Sequence, residues 1–195
     1  TTEGLLARFG PERVRDTPIS EQAIIGAAMG AAMTGLKPIA EIMFSDFFAV
    51  CFDYIANEFP KSRYMTNGQV KCPLVVRTGN GAGSRFGAQH SQSVENWAMA
   101  VPGLKVVAPS TPADIAGLLR SAIEDPDPVL FLEHKKTYRK ITGLVPDGQW
   151  RVPIGLADVA RPGDDMTLVT YGLHRHLARI REGDASTALG RIGGP

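Results

Sequence analysis

The stretch "SEQAIIGAAMGAAMTGLKPIAEIMFSDF", Ser20 to Phe47, decides the fold. It opens as a helix, with Ser20 in the N-cap position and Glu21 in the first turn, and it stops at Gly35. Gly35 and Pro38 then punctuate the chain, and "KPIAEIMF" (Lys37 to Phe44) reads as a strand rich in apolar residues. Ser45 or Asp46 caps the next expected helix, "SDFFAVCFDYIANEFPK". Helix, tight turn, strand and helix in immediate succession predict an α/β layered domain.

The same alternation continues downstream. "CPLVVRTG" (Cys72 to Gly79), "LKVVAPS" (Leu104 to Ser110) and "PVLFLEH" (Pro128 to His134) are expected strands, continuous enough in apolar character for a parallel sheet buried on both faces. "TPADIAGLLRSAIEDPDP" reads as a helix capped by Thr111, with Pro112 in its first turn and a stop before Pro126. Beyond Tyr138 the periodicity loosens into an extended connection, and "MTLVTYG" (Met166 to Gly172) reads as one more strand that opens something new. The expected organisation is a domain over 1–138, a connection over 139–163 and the start of a second domain over 164–195.

Composition narrows the function classes. With 21 Lys and Arg against 20 Asp and Glu among 195 residues, there is no cationic surplus for a nucleic-acid binder. The basic run "HKKTYRK" (His134 to Lys140) reads as a solvated loop. The longest low-charge run, Ala23 to Leu36, is too short and too rich in Gly to span a bilayer. Cys51 and Cys72 read as buried free thiols, and a soluble cytoplasmic protein is expected, with organellar import left open.

Several residues can carry chemistry. Glu21 sits where unpaired helix N–H groups and the dipole favour negative charge, and a capping role alone explains it. The small residues that follow, Gly26, Ala27, Gly30, Ala31 and Ala32, predict a helix packed closely at the centre of the molecule. A carboxylate at the tip of such a helix needs a hydrogen-bonding partner. "RTGNGAGSRFGAQHSQS" (Arg77 to Ser93) is a Gly-rich loop that fits neither the Walker nor the dinucleotide spacing, and His90 at its end is the best-placed acid–base candidate of four histidines. The others, His134, His174 and His176, read as spread out. The acidic helix end "SAIEDPDP" is either a solvated turn or an oxygen-ligand cation site.

Taken in order, "RVRDTPISE", "GAAMTGLKPIAEIMFSDF", "GAQHSQS" and "PGLKVVAPSTPADIAGLLRSAIEDPDPVLFLEHK" resemble one family. It is the β subunit of the thiamine-diphosphate-dependent decarboxylating component of pyruvate, branched-chain 2-oxoacid and acetoin dehydrogenases. The resemblance runs from about Gly4 to about Gly172. It implies a transketolase-like pyrimidine-binding domain, a parallel sheet with helices on both faces, followed by the start of a C-terminal domain.

The resemblance also implies a site. Glu21, in the "ISE" motif, is expected to hydrogen-bond a ring nitrogen of the coenzyme's aminopyrimidine and favour the tautomer that removes the thiazolium proton. Phe47 is expected to pack on that ring and Ile19 to offer backbone to it. His90, in "QHSQ", is expected to serve proton transfer or orientation near the substrate and an incoming lipoyl group. A potassium site is implied at Leu74, Ala122, Ile123, Asp125 and Asp127, the last standing where the family commonly has asparagine. The implied partners are an α subunit that supplies the diphosphate and magnesium site, a lipoyl-bearing acyltransferase and a second β subunit. The family has more chain at both ends, and "LHRHLARIREGDASTALGRIGGP" does not match it, so the chain is read as truncated. The competing expectation is a catalytically incompetent binding or assembly module with the same fold.

Overall fold

A computed structural model describes residues 2–181. The order of elements is α1 (Leu5–Phe9), α2 (Glu21–Met33), β1 (Ile39–Phe44), a 3-10 turn (Ser45–Cys51), a π turn (Tyr54–Glu58), α3 (Phe59–Met65) and β2 (Val75–Asn80). A 3-10 turn (Ala88–His90), α4 (Glu95–Met99), β3 (Lys105–Val107), α5 (Pro112–Glu124), β4 (Val129–His134), another 3-10 turn (Lys135–Thr137) and α6 (Leu173–Arg181) follow. The four strands form one parallel sheet in the order β1-β2-β4-β3.

Alternation along the strands sorts the core into two layers. Ala40, Ile42, Val76, Leu130 and Leu132 face one way, and Ile25 and Ala32 of α2 pack there with Phe48, Ile55 and Phe59. Val75, Val129 and Phe131 face the other way, against Ala122, Leu118 and Leu119 of α5. Helices therefore cover both faces, as the parallel pattern predicts. β2 and β4 are buried along nearly their whole length, whereas β1 alternates, because it lies at the sheet edge and exposes Ile39, Glu41 and Met43.

Helix ends follow the sequence unevenly. α5 carries a full capping box: the Asp114 N–H donates to Thr111 Oγ1 (3.1 Å) and the Thr111 N–H donates to Asp114 Oδ2 (2.9 Å). Ser20 precedes α2 but its hydroxyl makes no capping bond. The expectation that α2 runs through the centre also needs correction. Gly26 does meet a neighbour, since a Cβ there would lie 3.2 Å from the Tyr54 ring, but Ala23, Ala27 and Gly30 are exposed.

The single helix expected after Ser45 breaks into three pieces. Pro60 has no N–H to give the Ala56 carbonyl, and the Lys61 ammonium donates to it instead. The strand expected at Met166–Gly172 is absent: Met166, Leu168 and Val169 stand exposed with no strand partner among the described residues. The connection before it is docked on α5. Arg120 Nη1 donates to the Gly148 and Trp150 carbonyls (3.0 and 3.2 Å), and Ser121 Oγ donates to the Val152 carbonyl (2.7 Å). Gly117 makes the groove, since a Cβ there would stand 2.6 Å from Val152 Cγ2 and 2.8 Å from Trp150 Nε1. The expectations for the tail beyond residue 181 lie outside the described residues.

Candidate active site

All four strands run the same way, so their carboxyl ends gather the connecting loops at one rim, where ligands of open α/β sheets bind. β1 delivers Phe44, Ser45, Asp46 and Phe47 to that rim, β2 the Gly-rich segment to His90, and β4 His134 and Lys135. The His90 ring sits edge-on to two phenylalanines, with centroids 4.7 Å from Phe44 at 89° and 5.4 Å from Phe47 at 84°. Phe86 adds a third aromatic, 6.0 Å from Phe44. Edge-to-face pairs of this kind contribute about 0.5–1.5 kcal/mol beyond the area they bury.

Beneath these rings lies a buried polar layer. Ser45 Oγ donates to Asn80 Oδ1 (2.7 Å), Asn80 Nδ2 donates to Glu95 Oε1 (2.7 Å), and the Val94 N–H donates to Asn80 Oδ1 (3.3 Å). The Gln92 N–H donates to Asp46 Oδ1 (2.9 Å). Asp46 Oδ2 faces the Lys135 ammonium at 3.9 Å, and that ammonium lies 5.3 Å above the Phe44 ring. Burial pushes the Lys135 ammonium towards its neutral form and the Asp46 charge opposes this.

Lys135 corrects the reading of "HKKTYRK" as solvated, because its side chain is only 6% exposed. Asp46 was expected as a helix cap, yet it turns inward and caps nothing. His134 and His174 are not spread out. They share a small cavity with Asn80, Glu95, Leu132 and Tyr171, and burial, aided by His174 and the two following lysines, pushes His134 down to about 4.

The expected site residues fall into two groups. Phe47 and His90 touch, and Glu21 begins α2, which packs on the 3-10 turn carrying Phe47. Its carboxylate is near enough to Cys51, in that same turn, to add to the burial that pushes the thiol up to about 11. No hydrogen bond or ion pair engages Glu21 among the described residues, so the tip of α2 presents a half-buried carboxylate with its acceptor oxygens unused. Ile19, just before it, is 81% exposed. This unpaired carboxylate and the half-buried Phe47 ring fit an aminopyrimidine.

The other group lies at the opposite, amino end of the sheet. The Leu74 carbonyl accepts the Val129 N–H (2.9 Å). Pro126 has no N–H for Ala122, and the Asp127 N–H turns to Asp125 Oδ1 (2.9 Å), so the Ala122 and Ile123 carbonyls lose their helical donors. Those carbonyls suit a monovalent cation. The carboxylates are already engaged, Asp125 by Lys105 (2.6 and 2.7 Å) and Asp127 by Arg63 (2.8 Å). No group of three or more His, Cys, Asp or Glu residues suits a metal among the described residues.

The sequence reading missed Phe44, Asp46, Asn80 and Lys135. Phe44 and Asp46 had a signal, since both stand at the carboxyl end of a strand in a parallel sheet. Asn80 and Lys135 had one of the same kind, obscured by the glycines and charges around them.

A family model described as transketolase, pyrimidine binding domain, matches residues 1–140. The chain belongs to that family. A solved member described as a split-gene transketolase, an inactive β4 tetramer, superposes with a TM-score of 0.53 at 27% identity, covering 67% of this chain and 40% of that one. The chain also has curated relatives. It is 52% identical over 91% of its length to 2-oxoisovalerate dehydrogenase subunit beta of Bacillus subtilis, covering 54% of that protein. It is 52% identical over 91% of its length to acetoin:2,6-dichlorophenolindophenol oxidoreductase subunit beta of Cupriavidus necator, covering 52% of it. It is 47% identical over 87% of its length to the mitochondrial pyruvate dehydrogenase E1 component subunit beta-1 of Arabidopsis thaliana, covering 48% of it. The chain spans about half the length of the curated relatives it matches. Among the described residues no helix is long and apolar enough to cross a membrane.

Proposed function

We propose that this chain is the β subunit of a heteromeric thiamine-diphosphate-dependent 2-oxoacid or acetoin dehydrogenase. The observation that carries the reading is 52% identity to β subunits of two such enzymes, joined to an aromatic-walled histidine at the carboxyl rim of the sheet. The reading divides the chain into the pyrimidine-binding domain (1–138), a connection (139–163) and the start of a C-terminal domain (164–195). A cytoplasmic location belongs to it, with organellar import as the alternative.

When bound, thiamine diphosphate supplies the electron sink for cleavage next to a carbonyl. Glu21 would hold one aminopyrimidine nitrogen by a hydrogen bond and set its tautomer, Phe47 would pack on the ring, and Ile19 would offer its backbone. His90, held edge-on by Phe44 and Phe47, would donate or accept a proton at the substrate oxygen and orient the lipoyl group that takes the acyl unit. Magnesium would come with the α subunit. Potassium would sit on the Leu74, Ala122 and Ile123 carbonyls, with Asp125 and Asp127 able to join only by releasing Lys105 and Arg63. The exposed small face of α2 (Ala23, Ala27, Gly30) suits close approach of a second β subunit.

The test combines the chain with an α subunit, thiamine diphosphate and magnesium, and follows dichlorophenolindophenol reduction with acetoin, pyruvate and branched 2-oxoacids. Turnover that requires both subunits is expected. A complete, coenzyme-loaded assembly with no turnover on any substrate overturns the enzyme reading and leaves the binding or assembly module.

A further inference from the structure

We propose that Asp46 is a positioning residue for His90, acting through the Gln92 backbone and backed by Lys135. This rests on the role assigned to His90 above, but its geometry stands on separate contacts.

Asp46 is 6% exposed, and one of its oxygens does a defined job: Oδ1 accepts the Gln92 N–H at 2.9 Å. The Gln92 carbonyl in turn accepts the Gly81 N–H at 3.0 Å. The peptide units two residues beyond His90 are therefore tied to the ends of both β1 and β2. His90 itself makes two ring contacts, to Phe44 and Phe47, which flank Asp46 in sequence. One short segment, Phe44 to Phe47, thus fixes both the ring and the backbone of the histidine loop.

Lys135 completes the clamp from β4. Its stem lies on Gly79, where a Cβ would come within 3.1 Å of Lys135 Cγ, and its ammonium reaches the Phe44 ring. Lys135 Nζ and Asp46 Oδ2 are both buried without a hydrogen bond and face each other at 3.9 Å. A buried ion pair with poor closure adds little stability over apolar residues of the same volume. What it does here is hold the Asp46 carboxylate beside the backbone N–H that locates His90, and hold the Lys135 side chain on the ring that His90 packs against. Ends of three strands meet in this one contact set.

The test uses the full chain assembled with its α partner, and reads turnover and the rate of His90 carbethoxylation by diethyl pyrocarbonate, followed by peptide mass spectrometry. Asp46→Leu removes the acceptor at similar volume. It is expected to lower kcat by about 10- to 100-fold with KM and coenzyme affinity nearly unchanged, since a loss of about 1 Å in placement costs that much. His90 modification should speed up while His176 modification does not. Asp46→Asn keeps an oxygen for the Gln92 N–H and should recover most of the protection, and Lys135→Met should fall between the two. A folded Asp46→Leu chain with wild-type kcat and His90 modification overturns the proposal. So does Asp46→Asn behaving as Asp46→Leu, because the route through Gln92 would then carry nothing. If Asp46→Leu does not fold, the other two variants decide by the same readouts. If the wild-type assembly has no turnover, the β-subunit reading fails, while the modification rates still judge Asp46.

Discussion

The imidazole of His134 lies directly on Gly81. A Cβ at that glycine would stand 2.5 Å from the ring's Cδ2 and Nε2, and the glycine's φ of +84° excludes most side chains in any case. β4 and the loop leaving β2 meet through a ring that burial pushes towards its neutral form. Gly81→Ala is expected to destabilise the chain by about 1–3 kcal/mol from strain and crowding together. Urea melts measure it, and a wild-type midpoint would refute the contact.

The neutral ring also makes stability depend on pH. Burial lowers His134 from 6.5 to about 4, so the unfolded chain binds a proton that the folded chain refuses. The contribution is complete above about pH 6.5 and is lost as pH falls towards 4, amounting to roughly 2–3 kcal/mol. Melting temperature should therefore drop between pH 6.5 and 5, above the range where most carboxylates titrate. His134→Asn should flatten that part of the profile, and an unchanged slope would refute it.

Arg77 holds two carboxylates on the sheet face that α5 leaves open. Its guanidinium meets Glu133 through Nε–Oε1 (2.5 Å) and Nη2–Oε2 (3.0 Å) and reaches Glu41 (3.0 Å), while Tyr138 donates to Glu133 Oε2 (2.6 Å). Glu133 is 3% exposed, so Arg77→Met strands a buried charge and should cost about 3–5 kcal/mol. Arg77→Met with Glu133→Gln should recover much of that loss in a double-mutant cycle of urea melts. Additive losses would show that the pair is not coupled.

Glu21→Gln tests the proposed coenzyme contact. The fold should persist, because no described residue depends on the carboxylate for a hydrogen bond. Exchange of the thiazolium proton in the assembled enzyme should fall by about 100-fold or more, on the scale of losing a positioned proton-transfer group. Exchange at the wild-type rate would leave Glu21 as a first-turn charge on α2.

The sheet was legible because β-branched, apolar runs bounded by glycine and proline have few other uses. β1, β3 and β4 lie within the expected runs, and β2 overruns its own by one residue, Asn80. The extra strand over 166–172 had the same composition, yet it pairs with no strand among the described residues, and pairing is something no local pattern reports. The break between the π turn and α3 hinged on one imino acid, Pro60, whose effect on its neighbours outweighs their helix propensity. Glu21, Phe47 and His90 were marked by family motifs, whereas Asp46 and Lys135 were read as a cap and a solvated charge. Their partners lie 46 residues and 89 residues away along the chain, beyond any helix or hairpin period.

Gly117→Val would push Val152 and Trp150 out of their groove and should cost about 1–3 kcal/mol. Trp150 emission should shift to the red as the indole enters water, and an unshifted spectrum in a stable variant would refute the docking.

That groove has a wider meaning. With the segment around Trp150 fastened along α5, the residues after it do not leave on a free tether whose reach is set by random-coil statistics. They start from a fixed point and heading. A missing methyl group on one helix thus sets where the described residues after Val152 begin.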